Sequence, residues 1–265
     1  MRLRLTRYQI VLGITALATA LVWLFCPGRL LPWMLTSAIL FLAGLIVGLG
    51  VAFPQWEMFG ASVCRVSTRK KLVALTFDDG PDVTNTPALL QLLAERQVPA
   101  TFFCIGNRVA AQPEQARRMV AAGHQLENHT QRHSPYTNLF SVPQLREELA
   151  LAQTEIQRAT GQAPKLFRPP VGLTNPRVFR VTRELGLRVI GYTARGLDRR
   201  NDPPEKIANR LLDRLQPGAI FLLHDAGVPT TRLLTVVTLV LDRLLADGYR
   251  CVRLDELLTE DETNR

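Results

Sequence analysis

Two hydrophobic patterns divide the chain. Up to Trp56 the apolar residues are continuous: Tyr8–Gly28 is 21 residues without a charge and Leu30–Trp56 is 27 more, with Arg29 between them. A membrane-spanning helix needs about 20 predominantly apolar residues, so both stretches qualify. Cys26-Pro27-Gly28 breaks the first run, and Pro32 stands where the second helix can begin. Helices are expected at about 8–25 and 33–53, with Trp23, Trp33 and Trp56 near their ends as interfacial anchors. A cleaved signal peptide and a single span compete with this two-helix hairpin. The hairpin is preferred because Ile10–Phe25 is long for a signal core, no A-x-A precedes Pro27, and a second apolar segment follows.

From Lys71 the pattern changes to short apolar runs alternating with helical spacing. Strands are expected at Leu72–Phe77, Ala100–Ile105, Gln125–Asn128, Leu166–Arg168, Leu187–Tyr192, Ala219–His224 and Tyr249–Leu254. Several are apolar throughout, as parallel strands covered on both faces are. Helices are expected at Thr86–Arg96, Pro113–Ala122, Pro143–Ala159, Pro176–Leu185, Pro204–Leu215 and Thr230–Ala246, several opened by Pro and closed by Gly. The alternation indicates one α/β domain of about seven parallel strands. The pattern alone fits either an incomplete barrel or a doubly wound sheet. The expected organisation is a membrane anchor over 1–56, a basic juxtamembrane linker over 57–71, the α/β domain over 72–258 and a frayed tail over 259–265.

Composition narrows the class. With 47% hydrophobic and 21% charged residues in 265, the chain is neither disordered nor a disulfide scaffold. Its net charge is +9, and residues 1–56 contribute four arginines and no acid. We read those charges as topology signals rather than as a nucleic-acid surface, since no basic stripe with stacking aromatics occurs, and no nucleic-acid partner is expected. Arg2, Arg4 and Arg7 precede the first helix, and Arg65, Arg69, Lys70 and Lys71 follow the second. By the positive-inside rule both ends are cytoplasmic. The expected location is therefore the inner (cytoplasmic) membrane with the α/β domain in the cytosol, the alternative being periplasmic. The four scattered cysteines suit a reducing compartment.

In parallel α/β folds the active site lies at the carboxyl ends of the strands, and here those ends collect polar residues. The first strand runs into Asp78-Asp79-Gly80-Pro81. Two adjacent carboxylates either cap the next helix or divide labour, one binding a metal and the other staying free as a base. The third strand leads to His129 and His133, four apart, which share a side if the segment forms a helical turn and then suit a metal. His124, at a helix end, reads as structural. The fourth strand ends Arg168-Pro169-Pro170, which fixes an arginine that is either an ordinary loop residue or the bidentate partner of a carboxylate. The sixth ends at His224, a packed core residue or a general acid/base. Asp198 either orients His224 or caps a turn.

Together these motifs, TFDDG, H-T-x-x-H, R-P-P and L-L-H-D in this order, resemble the polysaccharide deacetylases, family four of the carbohydrate esterases with the NodB-homology domain. The match runs from Leu72 to about Leu258. The resemblance implies a distorted, incomplete (β/α) barrel and one divalent metal ion, usually Zn2+. It implies hydrolysis of an acyl amide on an amino sugar. Asp79, His129 and His133 match the metal ligands and Asp78 the catalytic base. Arg168 matches the base's partner, His224 the general acid and Asp198 the residue that tunes it. The backbone N–H of Val171 is a further donor for the oxyanion. Two His and a carboxylate also serve iron oxygenases, but a separate carboxylate base favours hydrolysis.

Departures from the family pattern bear on the substrate. Val171 stands where Tyr is common, and in the fifth-strand motif Arg195 replaces an Asp and Arg199 a Trp. The substrate is therefore expected to differ from chitin or peptidoglycan: an N-acylated glycan or, for a cytosolic domain, a lipid-linked sugar, with Arg65, Arg69, Lys70 and Lys71 against membrane lipid headgroups. A metal amidase acting on a non-sugar amide and a catalytically inactive glycan-binding module are the alternatives.

Overall fold

The computed structural model describes residues 5–28 and 30–262. Arg2, Arg4 and Arg29, used above for topology, and residues 263–265 of the expected tail lie outside the described residues. The elements follow in chain order as α1 (Arg7–Phe25), α2 (Leu30–Ala52), β1 (Leu72–Asp78), α3 (Asn85–Glu95), β2 (Thr101–Cys104), α4 (Gly106–Ala111), α5 (Pro113–Ala121), β3 (Gln125–Asn128), α6 (Val142–Thr160), β4 (Leu166–Phe167), α7 (Pro176–Glu184), β5 (Arg188–Val189), β6 (Ala194–Arg195), α8 (Pro204–Leu212), β7 (Ala219–His224), α9 (Thr230–Ala246), β8 (Arg250–Cys251) and α10 (Leu254–Glu262).

The strands form one parallel sheet in the order β5-β4-β3-β2-β1-β7-β6, with β8 joined to the amino end of β1. It curls into the distorted, incomplete barrel, and alternation along β1 explains how. Val73, Leu75 and Phe77 face outward and pack with Leu89 and Leu93 of α3 and Val236 and Val237 of α9. Leu72 and Ala74 face inward, against Phe103, Leu166, Ile220, Leu254 and Leu257. Each fully buried Leu or Phe contributes about 1.5–3 kcal/mol, so the inner column is apolar where it can be. Continuing that column by twos from Leu72 and Ala74 gives Thr76 and Asp78. The same count places Arg168 two beyond inward Leu166, and His224 four beyond inward Ile220. The interior thus passes from apolar at the amino ends to polar at the carboxyl ends.

Three features differ from the sequence expectation. The fifth strand is split into β5 and β6 at Gly191, because the segment before β1 runs through the gap. Val63 bridges Ile190, Arg65 bridges Ala219, and a Cβ on Gly191 would collide with the Cys64 thiol. Residues 57–71 are therefore not a free linker: Met58, Phe59 and Val66 are buried and close the seam of the barrel. At the other end the body continues past Leu258, since α10 runs to Glu262 and plugs the amino mouth with Leu254, Leu257 and Leu258.

α1 and α2 are both long and apolar enough to cross a membrane. They pair through a Trp23–Trp33 edge contact and a Trp23 indole hydrogen bond to the Thr36 hydroxyl (3.1 Å). Their base meets the barrel: Tyr8, Val11, Ile46, Val47 and Val51 pack against the Met58/Phe59 cluster. The Thr174 N–H donates to the Val51 carbonyl (3.2 Å), and Pro54 just beyond α2 lines the cavity at the carboxyl ends. Lys70 and Lys71 precede the amino end of β1, where Lys70 pairs with Glu260 at 2.9 Å and the Lys71 ammonium donates to the Asp247 carbonyl at 2.9 Å. The basic cluster therefore sits at the barrel end remote from the hairpin base.

Candidate active site

Asp78 is the last inward residue of β1 and is 3% exposed. Arg168, 1% exposed, reaches it from across the barrel: Nη1 donates to Asp78 Oδ1 and to the Thr76 hydroxyl, both at 2.7 Å, and Nη2 donates to the Gly191 carbonyl at 2.9 Å. Its guanidinium lies over the Phe103 ring, 4.1 Å from the centroid. The expected bidentate fork is absent. Three separate acceptors hold the guanidinium, so one Asp78 oxygen is bound and Oδ2 is left toward the cavity. A cation so buried is costly without such partners.

Asp79 leaves the strand differently. Its φ is 79°, so the chain turns and directs the second carboxylate away from the first. Neither aspartate caps α3; Asp82 does, accepting from the N–H groups of Thr84 and Asn85 at 3.0 and 2.9 Å. Asp79 Oδ1 lies 3.4 Å from His129 Nε2 and 3.2 Å from His133 Nε2. His129 Nδ1 is 2.7 Å from the Arg168 carbonyl oxygen. A carbonyl only accepts, so that nitrogen carries the proton and Nε2 presents its lone pair to the cavity. The segment from His129 to His133 is a loop, not the helical turn expected. Thr130 and His133 have positive φ (67° and 52°), with the His133 N–H bound to the Thr130 hydroxyl at 3.0 Å and the Thr130 N–H to Asn128 Oδ1 at 2.9 Å. The two imidazoles still converge, their centroids 4.8 Å apart.

Asp79, His129 and His133 offer one ligand atom each, all within 4.8 Å of one another. Buried Asp79 Oδ1 has no hydrogen-bond partner. Two imidazole nitrogens and a carboxylate with an orphaned oxygen fit a divalent cation, and zinc accepts this donor set with positions to spare. Burial works against ionisation of Asp79, but the adjacent imidazoles when protonated, together with the Arg199 guanidinium paired with Oδ2, outweigh it and hold the carboxyl well below its usual range.

His224 closes the far side of the cavity. Asp198, 2% exposed, accepts from the His224 backbone N–H (2.7 Å) and faces its Nδ1 (2.8 Å). Burial lowers the His224 pKa, and the Asp198 contact, reinforced by the charges of Asp78 and Asp79, more than reverses this, so the imidazole titrates above its ordinary value. Asp78, Asp79, His129, His133, Arg168, Val171 and His224 all line one cavity, and Asp198 supports it from behind His224. Val171 holds a φ of 59°, unusual for a β-branched residue. Five non-glycine residues of positive φ, namely Asp79, Thr130, His133, Val171 and Leu197, are in or beside this cavity. Such backbone costs of order 1–3 kcal/mol each and is kept where the site requires it.

Some contributors were missed from sequence. Thr76 holds Arg168, and its signal was its inward register two residues before Asp78. Asp225, wholly buried, accepts from the Thr86 hydroxyl (2.7 Å) and packs behind Gly80, where any Cβ would collide with its carboxylate. Burial pushes its pKa up to about 7. Its signal was adjacency to His224. Pro54, Tyr192 and Arg200 also line the cavity, and nothing in their local sequence marked them.

A family model described as polysaccharide deacetylase matches residues 65–190. The chain is 34% identical to a peptidoglycan-N-acetylglucosamine deacetylase of Bacillus cereus, over 77% of this chain and 96% of that one. It superposes on the crystal structure of a peptidoglycan N-acetylglucosamine deacetylase with a TM-score of 0.73 at 28% identity, covering 79% of this chain and 97% of that chain. It also superposes on a CE4 family pseudoenzyme from Bacillus anthracis with a TM-score of 0.69 at 28% identity, covering 76% and 69%.

Proposed function

The chain belongs to the polysaccharide deacetylase family, and from that premise we propose that it is a metal-dependent hydrolase removing an N-acyl group, acetyl first, from an amino sugar in a glycan or glycolipid. The observation that carries the reading is the convergence of Asp79, His129 and His133 beside an Arg168-held Asp78, with His224 across the same cavity. Asp79, His129 and His133 would hold one divalent ion, zinc, which would supply Lewis acidity to the acyl carbonyl and the attacking water. Asp78 uses its free oxygen to take the proton from that water, and Arg168 fixes the carboxylate in place. The Val171 N–H donates to the developing oxyanion. His224, with Nδ1 occupied by Asp198, gives the proton on Nε2 to the leaving amine. The presence of every ligand and proton-transfer residue favours this over an inactive module, the reading that the pseudoenzyme neighbour brings forward.

We further propose that α1 and α2 are a transmembrane hairpin anchoring the barrel at the cytosolic face of the inner membrane. A reporter fused after Arg265 that is active only in the periplasm reverses that side. The function is tested on the purified full-length protein. Near-stoichiometric zinc and amine release from a panel of N-acetylated and N-formylated sugars are expected, and Asp78→Asn should lower release about 10³-fold at unchanged zinc content. Zinc-loaded wild type that releases no amine from any sugar overturns the reading.

A further inference from the structure

The wall of the catalytic cavity includes Pro54, two residues beyond the end of α2. The base of the hairpin is pinned there, with the Arg7 guanidinium on the Trp56 carbonyl (2.8 Å), the Tyr8 N–H on the Met58 carbonyl (2.9 Å) and the Thr174 N–H on the Val51 carbonyl (3.2 Å). A hairpin that spans a bilayer therefore brings the cavity mouth to headgroup level. The charge at that mouth is one-sided. Arg195, Arg199 and Arg200 line it and are exposed. Arg199 is engaged by Asp79, whereas Arg195 and Arg200 have no carboxylate partner among the described residues. Among the described residues the only carboxylates lining the cavity are Asp78 and Asp79, both already paired. Arg195 also lies 5.9 Å from the centroid of the Tyr192 ring.

A neutral glycan offers two unpaired guanidiniums only uncharged acceptors, whereas a phosphate ester neutralises their charge and matches their fork geometry. Arg199 and Arg200 are consecutive, about 3.8 Å apart at Cα. Arg199, which pairs with the Asp79 carboxylate, is the chain neighbour of Arg200, and both line the same cavity. We propose that Arg195 and Arg200 form a phosphate subsite, and that the substrate is an amino sugar carried on a membrane lipid through a phosphate ester. Its headgroup phosphate lies at the mouth beside Pro54 and its N-acyl group reaches down to Asp78 and Asp79. This inference rests on the deacetylase reading above and narrows it.

The test uses full-length, zinc-loaded protein and three N-acetylglucosamine probes: a polyprenyl phosphate in phosphatidylcholine vesicles, the soluble 1-phosphate and neutral diacetylchitobiose. The expected order of kcat/KM is lipid phosphate, soluble phosphate, neutral disaccharide. Arg195→Ala/Arg200→Ala should raise KM for both phosphate probes by about ten-fold or more, the effect of losing a charge-assisted bond, and shift the neutral probe far less. Arg195→Lys/Arg200→Lys should recover part of the loss, and unchanged zinc content and melting temperature confirm an intact fold. An equal loss on all three probes, or none, overturns the phosphate subsite while leaving the deacetylase reading standing. A soluble phosphate hydrolysed as well as the lipid one overturns the membrane lipid as its carrier. Amine from none of the three, with turnover of another N-acylated sugar, overturns the lipid phosphate alone, and no amine from any sugar overturns both readings.

Discussion

β3 has a histidine at each end, and the two have opposite fates. His124, before its amino end, accepts a hydrogen bond at Nδ1 from the Ala100 N–H (3.1 Å) and packs edge-on to Phe102. His129, after its carboxyl end, gives Nδ1 to the Arg168 carbonyl and turns Nε2 toward Asp79. Both are nearly fully buried, at 4% and 2% exposed, so burial does not distinguish them. What does is whether the backbone takes the nitrogen's lone pair or its proton. The amino end spends the histidine on the fold, and the carboxyl end leaves a lone pair free for a cation. The carboxylates repeat the contrast. Glu127 is satisfied by the N–H groups of Lys165 and Leu166 (2.8 and 2.6 Å), while Asp79 Oδ1 has no hydrogen-bond partner.

The largest test of this contrast exchanges the two histidines' consequences. His129→Ala should reduce bound zinc from near one per chain to near zero and remove activity by about 10³-fold or more, with little change in melting temperature. His124→Asn, which keeps an acceptor for the Ala100 N–H, should retain zinc and turnover, measured by metal analysis and amine release. If His124→Asn loses zinc as well, the two ends are not functionally separate.

A smaller effect is expected at His224. Its pKa is raised, and a general acid works only while protonated, so activity should persist above the ordinary histidine range and fall as pH rises through the raised value. Asp198→Asn removes the main raising influence. The basic limb of kcat against pH should move to lower pH, with zinc binding unchanged. An unmoved limb would remove His224 from the acid role.

The smallest effect is on stability. Burial pushes the His124 pKa down to about 4 from 6.5. The unfolded chain then binds the extra proton between those values, so this histidine's contribution is present above pH 6.5 and is lost as pH falls toward 4. Glu127 and Asp225, raised by burial to about 7, act in the opposite sense over much of that window. The measurement is accordingly a difference. Chemical denaturation of His124→Asn against wild type should show the acid-side loss between pH 6.5 and 4 smaller in the variant by about 3 kcal/mol.

Much of the site was legible because β1, β4 and β7 each carry an inward column that turns polar at its carboxyl end. A period of two from Leu72 reaches Asp78, and from Ile220 reaches His224, so motif and geometry agreed there. The seam at Val63–Val66 was not legible. It makes single bridges rather than a ladder, and one bridge leaves no alternation in the sequence. The splitting of the fifth strand follows from that intrusion and was hidden for the same reason. A four-residue spacing by itself brings His129 and His133 to one side only on a helical turn, and the segment is a loop instead. Positive φ at Thr130 and His133, which no glycine announces, decides it. The basic cluster around Lys70 was placed by its distance from α2 along the chain. The seam segment carries the chain from the cavity mouth at Pro54 to the barrel's far end before β1 begins.

That route makes the hairpin and the barrel one mechanical object. The peptide leaving α2 becomes the closing stave of the barrel, so tilting the hairpin would tug on the joint between β5 and β7 rather than on a slack tether. Transplanting the catalytic body onto a different anchor, or releasing it into solution, must carry Met58 through Val66 along with it. A cut made just before Leu72, where the apolar alternation starts, would open the barrel along its length.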